Sequence, residues 1–183
     1  MTFTPTSLPG VLLIEPRVHG DHRGFFMETF RRDRSDEAGI PMLVQDNHSR
    51  SGKHALRGLH FQHPFGQGKL IRVVDGAVYD VLVDVRVGSP TFGKWEGHEL
   101  TGENKKQLWI PAGFAHGFCV LSDSADFLYK CSDYYHPETE RTLLWNDPEV
   151  GIQWPITDPI LSEKDRTGIP LRDLTGLPEY GDV

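Results

Sequence analysis

From residue 69 to residue 135 the chain runs in short, mostly apolar β-prone stretches, broken at short intervals by turns rich in Gly, Pro, Asn and Asp. Residues 69–74 and 77–85 flank Asp75-Gly76, a dipeptide that signals a hairpin. In the second arm Tyr79, Val81, Val83 and Val85 share one face. Val78, Asp80, Leu82 and Asp84 share the other, so both faces are expected to be covered. Turns at 88–90, 102–105, 111–113 and 122–125 separate further apolar runs at 95–100, 107–110, 114–121 and 127–135. Strands punctuated at this spacing predict an all-β sandwich or barrel.

The flanks are less regular. Residues 8–16 form an apolar run bounded by prolines, a candidate edge strand. Residues 19–24 read as a polar turn, 25–30 as β-prone, and 31–39 as a short charged helix ended by Gly39. Strand character returns at 42–49, with a turn at 50–53. After Pro137 only short apolar runs remain, at 143–145 and 152–154. Residues 161–174 read as loop with one helical turn, and the terminal PEYGDV is expected to fray. With no repeat, low-complexity tract or linker in view, residues 1–183 are expected to form one domain.

Composition narrows the class. The 183 residues are 38% apolar and include 10 Phe and 4 Trp, enough for a sizeable core. A net charge of −7 argues against broad binding to nucleic acid or to an anionic membrane, yet leaves room for a small anionic ligand held by a local cation cluster. No apolar run approaches the ~18 residues that span a bilayer, and MTFTPTSLPG carries no basic-then-apolar leader, so a cytoplasmic location is expected. Cys119 and Cys131 sit among apolar residues and in no CxxC pair, the pattern of buried free thiols.

Candidate chemistry concentrates in ALRGLHFQHPFGQGKL (residues 55–70), where Arg57, His60 and Lys69 put two cations and a titratable base within one hairpin's reach. That set can hold an anion while moving a proton; taken alone, it also fits surface charges around a structural histidine. Arg57 and His60 are three apart and would face opposite ways in a regular strand, so a bulge or twist at Gly58 is expected if both serve one pocket. PAGFAHG (residues 111–117) resembles the second signature of the cupin superfamily. The metal-binding His-x-His of that superfamily has no counterpart, since His60 and His63 are separated by two residues. A jelly roll without a metal is therefore expected.

At family level the chain resembles the dTDP-4-dehydrorhamnose 3,5-epimerases over roughly residues 8–175. The matching stretches include DHRGFFMETF (21–30), VQDNHS (44–49), LRGLHFQ (56–62), GQGKL (66–70), SPTFGKW (89–95), QLWIPAGFAHGF (107–118), FLYK (127–130), LLWND (143–147) and LSEKD (161–165), in order and at compatible spacing. The resemblance implies a cupin-like jelly roll with a few short helices and a homodimer. It implies a sugar-nucleotide substrate whose C4 ketone acidifies the protons on C3 and C5, so that no cofactor is required. It implies His60 as general base, Asp165 as its orienting carboxylate, Tyr129 as the acid on the opposite face, and Lys69 as the cation beside the enolate oxygen. Arg23 and Arg57, with Lys164 and His116, would contact the diphosphate, and Tyr135 would stack on the base. Glu28, Gln45, Asn47 and Glu140 would line the nucleotide or sugar. Two other readings compete: a metal-dependent cupin enzyme and a non-catalytic sugar-nucleotide binder. Within the family, inversion at one carbon alone remains an alternative.

Overall fold

The computed structural model describes residues 1–182 of the 183-residue chain. Two antiparallel sheets face each other. The first holds six strands: β1 (Thr2–Pro5), β2 (Leu12–Glu15), β5 (Gln45–Gly52), β7 (Lys69–Asp75), β10 (Gln107–Ile110) and β12 (Ser124–Cys131), in the order β1-β2-β10-β7-β12-β5. The second holds β6 (Leu56–Gln62), β8 (Ala77–Asp84), β9 (Trp95–Thr101), β11 (Phe114–Val120) and β13 (Glu140–Thr142), in the order β13-β6-β11-β8-β9. A separate hairpin pairs β3 (Val18–Asp21) with β4 (Gly24–Met27). Two short helices, α1 (Arg32–Glu37) and α2 (Glu163–Arg166), complete the fold. The all-β jelly-roll expectation holds, and no helix among the described residues is long and apolar enough to cross a membrane.

Three apolar layers explain why the strands lack a clean polar face. Ile71, Val73, Val78, Leu82, Leu108, Phe118 and Phe127 fill the space between the sheets. Val81, Val83 and Val85 on the outside of the five-stranded sheet pack on Leu143, Val150, Leu171 and Leu174 from the C-terminal segment. Ile14, Leu70 and Trp109 on the outside of the six-stranded sheet are covered by Ile40, just beyond α1. Both faces of β8 are thus buried, as its pattern required.

Several local expectations change. Asp75-Gly76 is not a hairpin: β7 and β8 lie in different sheets, and the turn is a corner between them. Gly76 takes φ +76°, and a Cβ there would fall 2.0 Å from the Ser124 carbonyl oxygen, so the corner packs against the start of β12. A turn dipeptide encodes a reversal of direction and is silent about which strands then pair. The polar stretch 19–24 is mostly strand, with the turn confined to His22 and Arg23 between the paired Asp21 and Gly24. Residues 50–52 continue β5, because β12 pairs with it as far as Gly52. β12 runs from Ser124 to Cys131, which leaves Tyr134 and Tyr135 in a loop. Residues 2–5 form a strand that the sequence did not announce.

The C-terminus is docked as far as it is described, and Val183 lies outside the described residues. Val87 N donates to the Pro178 carbonyl at 2.8 Å, and Tyr180 N donates to the Val87 carbonyl at 2.9 Å. Cys119 and Cys131 are both buried free thiols.

The feature that shapes the cavity is a bulge in β6. Its register against β11 pairs Phe118 with Arg57 and then His116 with His60, so β6 advances three residues while β11 advances two. Gly58 sits in the bulge at φ +117°, where a Cβ would meet Gly117 Cα at 2.6 Å and the His116 carbonyl at 2.7 Å. Only glycine fits there. Gly58→Ala is accordingly expected to lower the free energy of unfolding by roughly 2–4 kcal/mol, strain and overpacking together, measured by urea denaturation.

Candidate active site

A cavity of about 650 Å³ opens between the two sheets at the bulge. Each wall comes from a different sheet. The five-stranded sheet supplies Arg57 and His60 from β6, His116 and Phe118 from β11, and Glu140 from β13. The six-stranded sheet supplies Gln45 and Asn47 from β5, Lys69 from β7, and Phe127 and Tyr129 from β12. Tyr135 and the Ile160–Asp165 segment form the rim. Phe118 and Phe127 stack across the gap, with ring centroids 4.2 Å apart, and give the cavity an apolar floor beside His116 and Tyr129.

The bulge does what the spacing required: Arg57 and His60 both line the cavity. Arg57 Nε donates to Ser51 Oγ at 2.8 Å, which orients the guanidinium from β5 of the facing sheet.

Asp165 reaches His60 because its segment is tied to the start of β6. Leu56 N donates to the Ile160 carbonyl at 3.0 Å, and Ile160 N donates to the His54 carbonyl at 2.8 Å. Ser162 then caps α2, and Asp165 in its first turn points back toward β6. His60 Nε2 lies 2.6 Å from Asp165 Oδ1. An ionised carboxylate only accepts, so Nε2 carries the hydrogen and Nδ1 is the nitrogen left for chemistry. Asp165 is 3% exposed, and burial by itself would raise its pKa. Hydrogen bonds from His60, from Ser162 Oγ at 2.6 Å and from Gly58 N at 3.3 Å outweigh that and hold it below the ordinary aspartate value.

The other wall is tuned in the opposite sense. Burial pushes the Tyr129 phenol above its ordinary value, with Cys131, Glu140 and Tyr135 acting the same way and Arg57 opposing, so the phenol keeps its proton at neutral pH. Burial likewise lowers the Lys69 pKa; Cys131, Glu140 and Asp80 partly restore it. A desolvated ammonium responds strongly to any negative charge that develops next to it.

His116 belongs to a second histidine–aspartate pair. Its Nε2 is 2.9 Å from Oδ2 of Asp80, a fully buried residue on the inner face of β8. At the rim, Glu140 Oε2 accepts from Lys164 Nζ at 2.7 Å and from the Tyr135 hydroxyl at 3.2 Å. Tyr135 N donates to Gln45 Oε1 at 3.1 Å, and the ring remains 49% exposed, free to receive a flat partner.

His60, Tyr129, Asp165, Lys69, Gln45, Asn47, Arg57, His116, Tyr135, Glu140 and Lys164 therefore share one cavity. Arg23 and Glu28 do not. Both are exposed on or just beyond the β3–β4 hairpin, and Arg23 is bound to Asp21 at 2.6 Å. A matched motif places a residue in the chain, whereas the hairpin's own sheet carries these two away from this cavity. Sequence reasoning passed over Ser51, Asp80, Phe118, Phe127 and Ser162. Two of these had a signal: Asp80 is polar among valines in a buried strand, and Ser162-x-x-Asp165 has the spacing of a capping box. Among the described residues no group of three or more His, Cys, Asp or Glu converges as a metal site would need.

Comparison with known proteins places the chain among relatives. The family model described as dTDP-4-dehydrorhamnose 3,5-epimerase matches residues 5–173. The enzyme of that name from Pseudomonas aeruginosa is 56% identical over 181 residues, covering 97% of this chain and 100% of the relative. A crystal structure of dTDP-6-deoxy-D-glucose-3,5-epimerase from Legionella pneumophila, in complex with dTDP-4-keto-L-rhamnose, superposes with a TM-score of 0.95 at 51% identity over 98% of each chain. A dTDP-4-dehydrorhamnose 3-epimerase from Streptomyces niveus is 42% identical over 186 residues, covering 98% of this chain and 90% of the relative.

The electrostatics of Asp165 are testable by linkage. A carboxylate whose native pKa is depressed stabilises the fold fully above its unfolded value of ~3.9, and loses that contribution as pH falls through the native value. Wild type is expected to unfold at higher urea than Asp165→Asn at pH 7, with the gap narrowing steadily below about pH 4.

Proposed function

The chain belongs to the dTDP-4-dehydrorhamnose 3,5-epimerase family, and from that premise we propose that it inverts carbons 3 and 5 of a dTDP-4-keto-6-deoxyhexose. The observation that carries the mechanism is the placement of a carboxylate-backed imidazole and a protonated phenol on opposite sheets around one cavity, with Lys69 in the same cavity.

His60 Nδ1 removes the proton from C5. The C–H electron pair becomes the C4–C5 double bond, and the ketone π electrons move onto the C4 oxygen as an enolate. Lys69 stabilises that oxygen in a site partly shielded from water, a contact worth several kcal/mol in the transition state, on the order of 3. Tyr129 then delivers its proton to the other face of the carbon. The same three groups repeat the sequence at C3. Each inversion leaves His60 protonated and Tyr129 ionised, and exchange with solvent restores both. The substrate's ketone is the electron sink, so the scheme uses no redox step.

Arg57 and Lys164 supply cationic contacts for the diphosphate with His116 in the same cavity, and the exposed ring of Tyr135 stacks on thymine, a contact worth ~1–3 kcal/mol in single-strand binders. Gln45, Asn47 and Glu140 complete the polar lining. Inversion at both carbons is favoured because the 3,5-epimerases stand nearer, at 56% and 51% identity, than the 3-epimerase at 42%. We also infer a cytoplasmic homodimer. Two buried free thiols suit a reducing compartment. The β3–β4 hairpin exposes Phe25 at 60% and Phe26 at 72%, and it carries Arg23 and Glu28 out of reach of their own cavity. A second copy would cover those rings and give the two polar residues a substrate to contact.

In deuterated water, the 4-keto-6-deoxy sugar nucleotide is expected to take up deuterium at C3 and C5, read by NMR; no exchange at either carbon overturns the assignment. His60→Ala should abolish exchange while nucleotide affinity changes little. Tyr129→Phe should retain deuterium wash-in from the His60 face but lose inversion by roughly a hundredfold or more. Light scattering of the purified protein is expected to return twice the 20.7 kDa chain mass, and a monomer at micromolar concentration would remove the dimer.

A further inference from the structure

We propose that Ser162 is a positioning residue for this reaction, acting through Asp165 to hold the His60 imidazole in its working orientation; the proposal rests on His60 being the base. Three observations carry it. Ser162 Oγ donates to Asp165 Oδ2 at 2.6 Å, while Asp165 Oδ1 accepts from His60 Nε2 at 2.6 Å, so the serine occupies the carboxylate oxygen that the histidine does not. Asp165 N donates back to Ser162 Oγ at 3.2 Å, which closes a reciprocal ring and leaves the carboxylate one orientation. Ser162 itself lines the cavity, two residues beyond Ile160, which bridges to Ala55 at the start of β6.

Consider the carboxylate without its serine. Asp165 has two further donors, His60 on Oδ1 and the Gly58 amide on the same oxygen. Both hold one oxygen, and rotation about the Cβ–Cγ bond would remain a soft motion, because terminal sp³–sp² torsions have broad wells. The hydroxyl on Oδ2 stops that rotation and keeps Oδ1 on His60. Its donation also helps to keep Asp165 ionised despite burial. An imidazole whose tautomer and plane are set by an oriented carboxylate presents Nδ1 to the same point at every turnover.

The competing role is purely structural: Ser162 is the N-cap of α2. Cap chemistry separates the two. Aspartate is as good an N-cap as serine, and glycine falls short by only a few tenths of a kcal/mol. Ser162→Asp therefore preserves the helix start while setting a second carboxylate against Asp165, where like charges contend for a proton. Ser162→Gly preserves the backbone shape and removes the hydroxyl. Ser162→Thr keeps hydroxyl and cap alike.

The experiment measures kcat and KM for deuterium incorporation into the 4-keto-6-deoxy sugar nucleotide from pH 5 to 9, with thermal melting alongside. Ser162→Gly is expected to lose kcat by roughly ten- to a hundredfold, the size of effect seen when a partner orienting a histidine is removed, with KM within about twofold of wild type. Ser162→Asp should lose at least as much, and the acid limb of its profile should move to higher pH because the added negative charge favours the protonated imidazole. Ser162→Thr should recover most of the kcat lost in Ser162→Gly. If Ser162→Asp and Ser162→Gly turn over at wild-type rates with an unmoved profile, Ser162 is a helix cap only and the proposal falls. A second readout needs no turnover: the downfield ring N–H resonance of His60 should be present in wild type and Ser162→Thr and broadened or lost in the other two. Wild type that shows this resonance yet exchanges no substrate deuterium would sink the assigned reaction, not the positioning role.

Discussion

A carboxylate at 3% exposure holds an imidazole at 2.6 Å, and most of the molecule's architecture is needed to let that happen. An isolated buried carboxylate is expensive and would take up a proton. Here Asp165 stays ionised because three donors from two segments of the chain converge on it: His60 and the Gly58 amide from β6, and Ser162. The Gly58 donor is available only because β6 bulges. The Ser162 donor is available only because residue 160 is laced to β6 by two backbone hydrogen bonds. Bulge and lacing are thus parts of one electrostatic arrangement.

The division of labour between the sheets follows from the same geometry. Inversion of a carbon needs a base on one face and an acid on the other, so the two cannot sit side by side on one strand. A sandwich solves this by its construction. β6 and β12 belong to opposite sheets, so His60 and Tyr129 reach the cavity from opposite walls. Burial then acts in opposite directions on the chemistry of each wall: it keeps the Tyr129 phenol protonated and softens the Lys69 ammonium, while hydrogen bonding overrides it at Asp165. One apolar interior produces an acid, a responsive cation and a persistent anion, according to what else each group touches.

The C-terminal forty residues have little regular structure but two jobs. Leu143, Val150, Leu171 and Leu174 cover the outer face of the five-stranded sheet, without which Val81, Val83 and Val85 would be wet. The same segment brings Asp165 across to β6. Covering a sheet and completing the His60–Asp165 pair are therefore coupled, and loss of this layer would remove both.

Much of this was legible in the chain itself. Period-two alternation, turn spacing and the doubly apolar β8 specified an all-β sandwich, because side-chain period and burial are local properties of a strand. The three-residue gap between Arg57 and His60 demanded a bulge, and Gly58 was the one residue able to supply it. Motif order marked the residues that line the cavity. Other features were decided only by the tertiary structure. Asp75-Gly76 turns the chain, but whether it makes a hairpin or a corner depends on partners far away in sequence. Tyr135 reads as strand and lies in a loop because β12 ends where its partner strand ends. Arg23 and Glu28 match their family's motif, yet they do not line the cavity. Asp80 and Ser162 acquire meaning only from the side chains they face. Sequence patterns record what each residue needs nearby, such as water, an apolar neighbour or a turn. Which distant residue meets that need is settled by the packing of the two sheets.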